Sequence, residues 1–339
     1  MKFRDFIAAM GIGLASLLAG CGNPQSMFHT AGPAAQRLAH LSAFIFILFG
    51  VVAVITIGIL LAAGLSHRGT LDWHAPWNAS GGHKFVLYGG LVIPGIILFV
   101  VFVLSLQRMT LFPLHRKQPM SPNILVIGHQ WWWEVRYLRG PADQRFTTAN
   151  EIHIPVGRPV EIALQSADVI HSFWVPALHG KVEMIPGLTN YLRVEASRAG
   201  SFKGQCAEYC GAQHAHMRLL VVAQPPAAYQ AWRNLQLQPA QTPASPQALQ
   251  GREIFLHAAC PLCHTIRGLG AAEGKAGPDL THLAGRQYIG ANSFPNDKAD
   301  LAGWVTHAQS LKPGCKMPNL DDFTGPQLRA LVAFLDGLK

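Results

Sequence analysis

The chain has 339 residues, more than one ordinary domain, so we expect several folding units. Half of the residues are hydrophobic and only 13% are charged, a composition that indicates membrane-spanning segments rather than a purely water-soluble protein. The formal net charge is +9, but the sequence has no dense run of Lys and Arg of the kind that binds nucleic acid, so we expect no nucleic-acid partner.

The N-terminus has the pattern of an export signal. Lys2 and Arg4 precede an apolar run, and small residues precede Cys21. We therefore interpret residues 1–20 as a signal peptide. The ending LAGC resembles a bacterial lipobox, which implies that Cys21 is lipidated; the alternative is a plain signal peptide followed by an incidental cysteine.

Two long apolar runs follow an external segment at residues 21–40. Residues 41–65 and 85–107 contain no charged side chain, and each run exceeds the roughly 20 residues needed to cross a bilayer. They predict two transmembrane helices joined by a cytoplasmic loop at residues 66–84. The export signal places the N-terminus outside, so the C-terminal region also lies outside. For a bacterial protein this predicts a multi-pass inner-membrane protein with its later domains on the periplasmic face.

From residue 123 the pattern changes to short β-rich runs separated by turn residues. The runs are NILVIGH, WWWEVRY, EIHIPV, PVEIALQ, YLRVEA and RLLVVAQ. Strands at this spacing predict an all-β sandwich or barrel over residues 123–223. Loops at one end of such a rigid scaffold can hold a metal site.

A cluster of soft donors lies within residues 204–217, GQCAEYCGAQHAHM. Cys206, Cys210, His214 and Met217 have offsets of four, eight and eleven, which would share one face of a helix. Two glycines and the flanking β pattern favour a loop instead.

The donor types favour copper over zinc. A tetrahedral zinc site would use two Cys and two His but leave the methionine without a purpose. A single blue copper needs only one cysteine, so this stretch has one thiolate too many. Two thiolates that bridge two copper ions would use every donor, provided that a second histidine comes from elsewhere. His171, in the stretch DVIHS, offers that histidine.

The stretches DVIHS, CAEYCGAQHAHM and GHQWWWEV together resemble subunit II of haem-copper cytochrome c oxidases, whose binuclear copper centre is called Cu-A. The resemblance covers about residues 30–225 and includes the two apolar runs. It implies a transmembrane hairpin followed by a cupredoxin-like Greek-key sandwich.

The resemblance also implies a role for each motif residue. The bridging thiolates would be Cys206 and Cys210, and the terminal ligands would be His171, His214 and Met217. Glu208 would give its backbone carbonyl to one copper ion and its side chain to a magnesium ion shared with subunit I. Trp131 would be the point of electron entry, with simple core packing as the alternative. His216 would lie beside the ligands without binding metal.

Two positions depart from the family pattern. Leu188 stands where relatives have an arginine, and Leu87 stands where many relatives have a glutamate that feeds protons to subunit I. The first departure leaves open a salt link to subunit I or to a haem propionate, and the second leaves open the route of proton uptake.

A Pro-, Ala- and Gln-containing linker at residues 224–246 leads to a C-terminal unit at residues 247–339. We expect a short helix at the start of this linker, over residues 225–235. The later unit contains CPLCH at residues 260–264, which is the pattern of covalent c-type haem attachment. A thioether bond would form at each of Cys260 and Cys263, and His264 would be an axial ligand of the haem iron.

The flanking stretches GREIF and GPDL resemble class I cytochromes c, which are all-α domains. The resemblance implies that the Pro278 carbonyl orients His264 and that Met317 is the second axial ligand. His282 and His307 are the rival ligands, and Cys315 is a spare thiol without an expected role.

Together the two resemblances imply the electron-input subunit of a respiratory cytochrome c oxidase. Electrons would pass from a donor through the c-type haem and Cu-A to haem in subunit I, where oxygen is reduced to water and protons are translocated. We expect subunit I, subunit III, membrane lipid and a donor such as cytochrome c or a quinol-oxidising complex as partners. The alternatives are the input subunit of a Cu-A nitric oxide reductase and a stand-alone membrane-anchored redox carrier.

Overall fold

The computed structural model of the protein describes residues 25–65, 82–109, 121–241 and 245–339. The predicted signal peptide, Cys21 and most of the predicted cytoplasmic loop lie outside the described residues. The described chain forms two compact units. One contains the described residues between 36 and 114, and the other contains the short segment before residue 36 together with everything after residue 114.

The first unit consists of two long apolar helical segments. The first is helix α1 (Pro33–Leu65); the second is α2 (Gly82–Leu87), a π-helical turn (Tyr88–Val92) and α3 (Ile93–Met109). Helix α1 begins eight residues before the predicted apolar run, because Pro33 suits the first helical turn and alanines follow it. Large side chains of both segments are exposed, and both segments are long and apolar enough to cross a membrane.

The second unit begins with a β-sandwich of ten strands. Their bounds are β1 Ile124–His129, β2 Trp132–Tyr137, β3 Phe146–Ala149, β4 Glu151–Pro155, β5 Val160–Ser166, β6 His171–Trp174, β7 Val182–Met184, β8 Asn190–Val194, β9 Gly200–Cys206 and β10 Arg218–Gln224. One sheet has the order β3-β2-β1-β5-β8, and the other has the order β4-β10-β9-β6-β7.

Strand alternation fills the space between the two sheets with apolar side chains. Val126 on β1 pairs with Val135 on β2 and with Leu164 on β5, and all three are fully buried. Trp133 is also fully buried, with its ring packed edge-on against Phe173 of the opposite sheet. This core makes the strand ends rigid supports for the loops between them.

The C-terminal part of the second unit is mainly helical. Its helices are α4 Pro226–Leu237, α5 Pro246–His257, α6 Cys260–Cys263, α7 Lys298–Thr306, α8 Ala308–Leu311 and α9 Gly325–Leu335, with a two-residue ladder between β11 (Tyr288–Ile289) and β12 (Phe294–Pro295). Thr324 caps the start of α9, and its backbone N–H donates to the Gln327 side chain at 2.9 Å. Phe255 of α5 packs against Phe334 of α9 in the core of this domain. The predicted fold class, a helical hairpin, a cupredoxin-like sandwich and a helical cytochrome-type domain, is confirmed.

Candidate metal and haem sites

The soft donors of residues 204–217 do not form one helix. Cys206 is the last residue of β9, and Met217 directly precedes β10. The backbone N–H of Cys206 donates to the Met217 carbonyl at 2.9 Å, which closes the loop between the two strands. His171 is the first residue of β6, the neighbour of β9, and the Phe173–Cys206 pairing brings it beside the loop. We call residues 206–217 the copper loop.

Each thiol of the copper loop faces one imidazole nitrogen. The two cysteine sulfurs lie 3.8 Å apart. The Cys206 sulfur lies 3.8 Å from Nδ1 of His171, and the Cys210 sulfur lies 3.7 Å from Nδ1 of His214. The Met217 sulfur completes the group, 3.8 Å from the Cys210 sulfur.

Glu208 lies between the two cysteines and presents two different groups. Its backbone carbonyl accepts a hydrogen bond from the Cys206 thiol at 3.1 Å, so this oxygen faces the donor cluster. Its carboxylate-bearing side chain is exposed on the outer surface of the loop. The carbonyl can therefore act as one more donor of the cluster, while the carboxylate can contact a partner outside the loop.

Most of the cluster is withdrawn from water, and of its five donor side chains only His214 is partly exposed. His171 and Met217 have no exposed surface, and each cysteine is 3% exposed. The hydrogen bond between the two cysteines, together with His171, lowers the pKa of Cys206, and the same contact with Cys206 raises the pKa of Cys210. The pair therefore releases one proton readily, and a second only when cationic charge lies nearby, as bound metal ions would provide.

A half-buried carboxylate orients His171. Nε2 of His171 donates to Oδ1 of Asp168 at 2.9 Å, which leaves Nδ1 facing the Cys206 sulfur. The backbone N–H of Gln130 donates to the other oxygen of Asp168 at 2.7 Å. Burial raises the pKa of Asp168, but these hydrogen bonds outweigh it, so the pKa is lowered overall. Carboxylates in this arrangement fix the tautomer and ring orientation of a metal-binding histidine.

Trp131 lies directly against the copper loop. Its indole N–H donates to the Cys210 carbonyl at 2.9 Å, and the Gln130 side chain donates to the same oxygen at 2.8 Å. Gly211 has a φ of +110°, and a Cβ there would lie 3.0 Å from the Trp131 ring. Sequence reasoning did not identify Gln130 as part of this site, although it directly precedes Trp131.

The donor set fits a pair of copper ions. Two thiols, two imidazole nitrogens, one thioether and one carbonyl converge, and soft sulfur ligands select copper over hard cations such as magnesium. Two sulfurs at 3.8 Å, each with its own imidazole, suit two metal ions that share both thiolates better than one ion.

The predicted haem attachment residues lie on one helical turn. Cys260 and Cys263 are the first and last residues of α6, and His264 follows directly. Nδ1 of His264 donates to the Pro278 carbonyl at 2.8 Å, which leaves Nε2 free to bind iron. Burial lowers the pKa of His264, so the ring is neutral and available as a ligand. A Cβ on Gly277 would lie 2.7 Å from the His264 ring, so the backbone passes closely beside the histidine. These residues fit a covalently bound haem.

Met317 lies in a loop that one glutamine side chain organises. Nε2 of Gln309 donates to the carbonyls of both Cys315 and Met317 at 2.6 Å. Among the rival ligands, Nε2 of His282 donates to the Gln238 carbonyl, and His307 is exposed beyond the end of α7. Gln309 was not predicted as part of the site, because no motif distinguishes it from other polar helix residues.

Comparisons with known proteins match both parts of the second unit. The family model for the periplasmic domain of cytochrome c oxidase subunit II matches residues 123–224, and the cytochrome c model matches residues 248–339. Cytochrome c oxidase subunit 2 of Alkalihalophilus pseudofirmus is 38% identical over 252 residues, which cover 73% of this chain and 71% of that protein.

Cytochrome c oxidase subunit 2 of Bacillus subtilis is 30% identical over 347 residues, which cover 95% of this chain and 94% of that protein. The crystal structure of the periplasmic domain of subunit II of cytochrome oxidase from Bradyrhizobium japonicum is 28% identical and matches 36% of this chain and 96% of that chain, with a TM-score of 0.33.

Proposed function

Because the chain belongs to the cytochrome c oxidase subunit II family and carries a cytochrome c domain after its copper-type domain, we propose that it is the electron-input subunit of a respiratory terminal oxidase. In this proposal electrons enter at a c-type haem, pass to a Cu-A centre and leave for haem in subunit I. Oxygen is reduced to water there, with coupled proton translocation. One observation carries the proposal: two buried thiols lie 3.8 Å apart, each facing one imidazole Nδ1.

The copper loop and His171 would hold the metal pair. The ions would be held by both thiolates, two imidazoles, one thioether and one carbonyl, from Cys206, Cys210, His171, His214, Met217 and the Glu208 backbone. The bound pair would supply one-electron storage with little rearrangement, because strands β6 and β9 carry His171 and Cys206 and β10 begins directly after Met217. Asp168 would keep His171 in the tautomer that binds through Nδ1.

The cytochrome domain would hold the haem through four side chains. Cys260 and Cys263 would form the thioether bonds, and His264 and Met317 would bind the iron. Pro278 accepts the Nδ1–H of His264 and would keep Nε2 directed at the iron. Met/His ligation places the haem potential high enough to receive electrons from a respiratory donor, such as cytochrome c or a quinol-oxidising complex.

The surface around the copper loop would meet the catalytic subunit. The exposed carboxylate of Glu208 would share a magnesium ion with subunit I. Electrons from the donor haem would enter at Trp131, whose hydrogen bond to the Cys210 carbonyl leads toward the copper ligands. The two apolar helical segments would anchor the chain in a bacterial inner membrane, beside subunits I and III and lipid. The copper and haem domains would lie on the periplasmic side, and Cys21 would carry a lipid.

The test is a gas-uptake assay on the complex purified in mild detergent. We expect a haem-copper subunit I to co-purify and the complex to consume oxygen with reduced cytochrome c as donor. Cys206→Ser should abolish this activity, while Cys315→Ser, which removes the thiol without an assigned role, should leave it unchanged. Consumption of nitric oxide alone would identify a nitric oxide reductase instead, a possibility that Leu87 and Leu188 leave open. A chain that purifies without any partner would identify a redox carrier.

A further inference from the structure

The loop that carries Met317 lies on the copper loop. The Gln213 side chain, which is buried, donates to the Pro313 carbonyl at 2.8 Å. Nζ of Lys316 lies 3.7 Å from Oδ2 of Asp168, the carboxylate that orients His171. The segment with the proposed axial ligand of the haem therefore touches the segment with the proposed copper ligands.

A second group of contacts joins the same two domains through hydrogen bonds that backbone N–H groups donate. The Arg218 N–H donates to the Ala291 carbonyl at 3.2 Å, and the Gln287 N–H donates to Oε2 of the buried Glu151 at 3.0 Å. Backbone hydrogen bonds need a fixed relative position of both partners. The cytochrome domain is therefore docked on the sandwich, not merely linked to it by the chain.

Lys312 lies at the centre of this contact. Its side chain is 2% exposed, and Nζ donates to the His216 carbonyl of the copper loop at 3.1 Å and to the Gly290 carbonyl of the cytochrome domain at 2.9 Å. The amine also lies 6.0 Å from the centre of the Trp304 ring. One buried cation thus holds a carbonyl from each domain.

A buried lysine of this kind is costly, so its position needs a reason. Among the described residues no carboxylate forms an ion pair with Lys312, and the nearby Arg218 adds like charge. Burial lowers the pKa of Lys312 to about 8, which still leaves the amine protonated at neutral pH with its donors available. Lys316, by comparison, is 62% exposed and makes only a long ion pair.

We propose that Lys312 is a positioning residue for electron transfer: it holds the Met317 loop on the copper loop and so fixes the haem-bearing domain against the copper domain. The proposal rests on the proposed function for the identity of the two centres. It assigns Lys312 no ligand and no redox chemistry. It predicts that the side chain acts on the transfer between the centres and not on either centre alone.

The test compares Lys312→Met with Lys298→Met in the intact oxidase. Methionine keeps much of the length of lysine but removes the charge and the donors. Lys298 lies in the same domain but is 71% exposed and pairs only with Asp336, so its variant controls for the loss of one cationic charge. Two quantities are measured: the rate of electron transfer from haem to copper after flash reduction, and hydrogen exchange at the Arg218 and Gln287 amides.

We expect Lys312→Met to slow transfer from haem to copper by at least about tenfold, since small displacements of reacting groups have effects of this size. Exchange at both amides should accelerate. Reduction of the haem by an external donor and the absorption spectra of both centres should stay unchanged, which a general loss of folding would not allow. Lys298→Met should behave as the wild-type protein in every measurement.

Unchanged transfer and unchanged exchange in Lys312→Met would overturn the proposal. If Lys312→Met failed to retain haem, hydrogen exchange in the wild-type oxidase would test the proposal instead. Rapid exchange at the Arg218 and Gln287 amides would show that the domains are not docked and would overturn it. Failure of the proposed function looks different: the wild-type protein itself would then lack one of the two centres or pass no electrons between them.

Discussion

Single hydrogen bonds determine how the ligand side chains of the proposed copper site are presented. His171 is fully buried, yet only the Nε2–Asp168 hydrogen bond directs its Nδ1 toward the Cys206 sulfur. His264 shows the same principle in the other domain, because Pro278 takes its Nδ1–H and leaves Nε2 free. In both cases an atom outside the ligand set decides which nitrogen can bind metal.

Asp168→Asn tests this role at the copper site. The amide keeps the shape of the carboxylate but loses its charge. An NH₂ group turned toward His171 cannot accept the hydrogen bond that Nε2–H donates. We expect copper affinity to fall by about 10- to 100-fold, the usual cost of losing an outer hydrogen-bond partner. Competition with a copper chelator measures the change. Glu161→Gln, a carboxylate change on β5 outside the donor cluster, is the matched control, and equal affinity losses in both variants would contradict the role of Asp168.

The residues of the site were easier to predict than their supports. The spacing of Cys206, Cys210, His214 and Met217, with His171, indicates a metal site by itself, because soft donors at such density have few other uses. Gln309 and Lys312 could not be predicted in the same way. A glutamine that caps a loop and a lysine that bridges two carbonyls are recognisable only when the tertiary contacts are known.

At the scale of elements, the strands richest in aliphatic and aromatic residues were predictable. The runs that form β1, β2, β4, β5, β8 and β10 are rich in Val, Ile, Leu and aromatic residues. Strands β3, β6, β7 and β9 were not predicted, because they are short or interrupted by glycine. Two of these strands carry His171 and Cys206. The sequence preference for a strand is weakest where the chain supplies ligands, because residue types that bind metal are not the types that favour strands.

The crossing of α5 and α9 depends on a glycine. A Cβ on Gly251 would clash with the Ala330 carbonyl oxygen, which belongs to the rigid backbone of α9. This contact explains why the GREIF stretch begins with glycine although the residue weakens a helix interior.

Gly251→Ala should therefore lower the free energy of unfolding of the cytochrome domain by about 1–3 kcal/mol, the typical cost of forcing extra volume into a packed contact. Gly303→Ala is the control, since a Cβ there meets only Leu311 at 3.9 Å and alanine should stabilise α7 by up to about 1 kcal/mol. Denaturant unfolding followed by haem absorbance measures both. Equal stability of Gly251→Ala and Gly303→Ala would show that the helix crossing does not need the glycine.

At the scale of the whole molecule, the chain joins two apolar helical segments, a domain of the subunit II type and a cytochrome c domain. Residues 247–339 contain nine Lys and Arg against eight Asp and Glu, so the cytochrome domain is nearly neutral. A diffusing cytochrome needs a charged face to find its partner, whereas a linked and docked one does not. The contacts that Lys312, Arg218 and Gln287 make between the two domains are consistent with this nearly neutral charge.

In the proposed function this one chain would hold a dicopper centre through two thiolates and, in its second domain, a covalent haem. Metal analysis combined with an electron paramagnetic resonance spectrum of the purified protein tests it most directly. We expect two copper ions and one haem iron per chain, with one unpaired electron shared equally by two copper nuclei. A spectrum from a single copper nucleus, or zinc in place of copper, would contradict the claim.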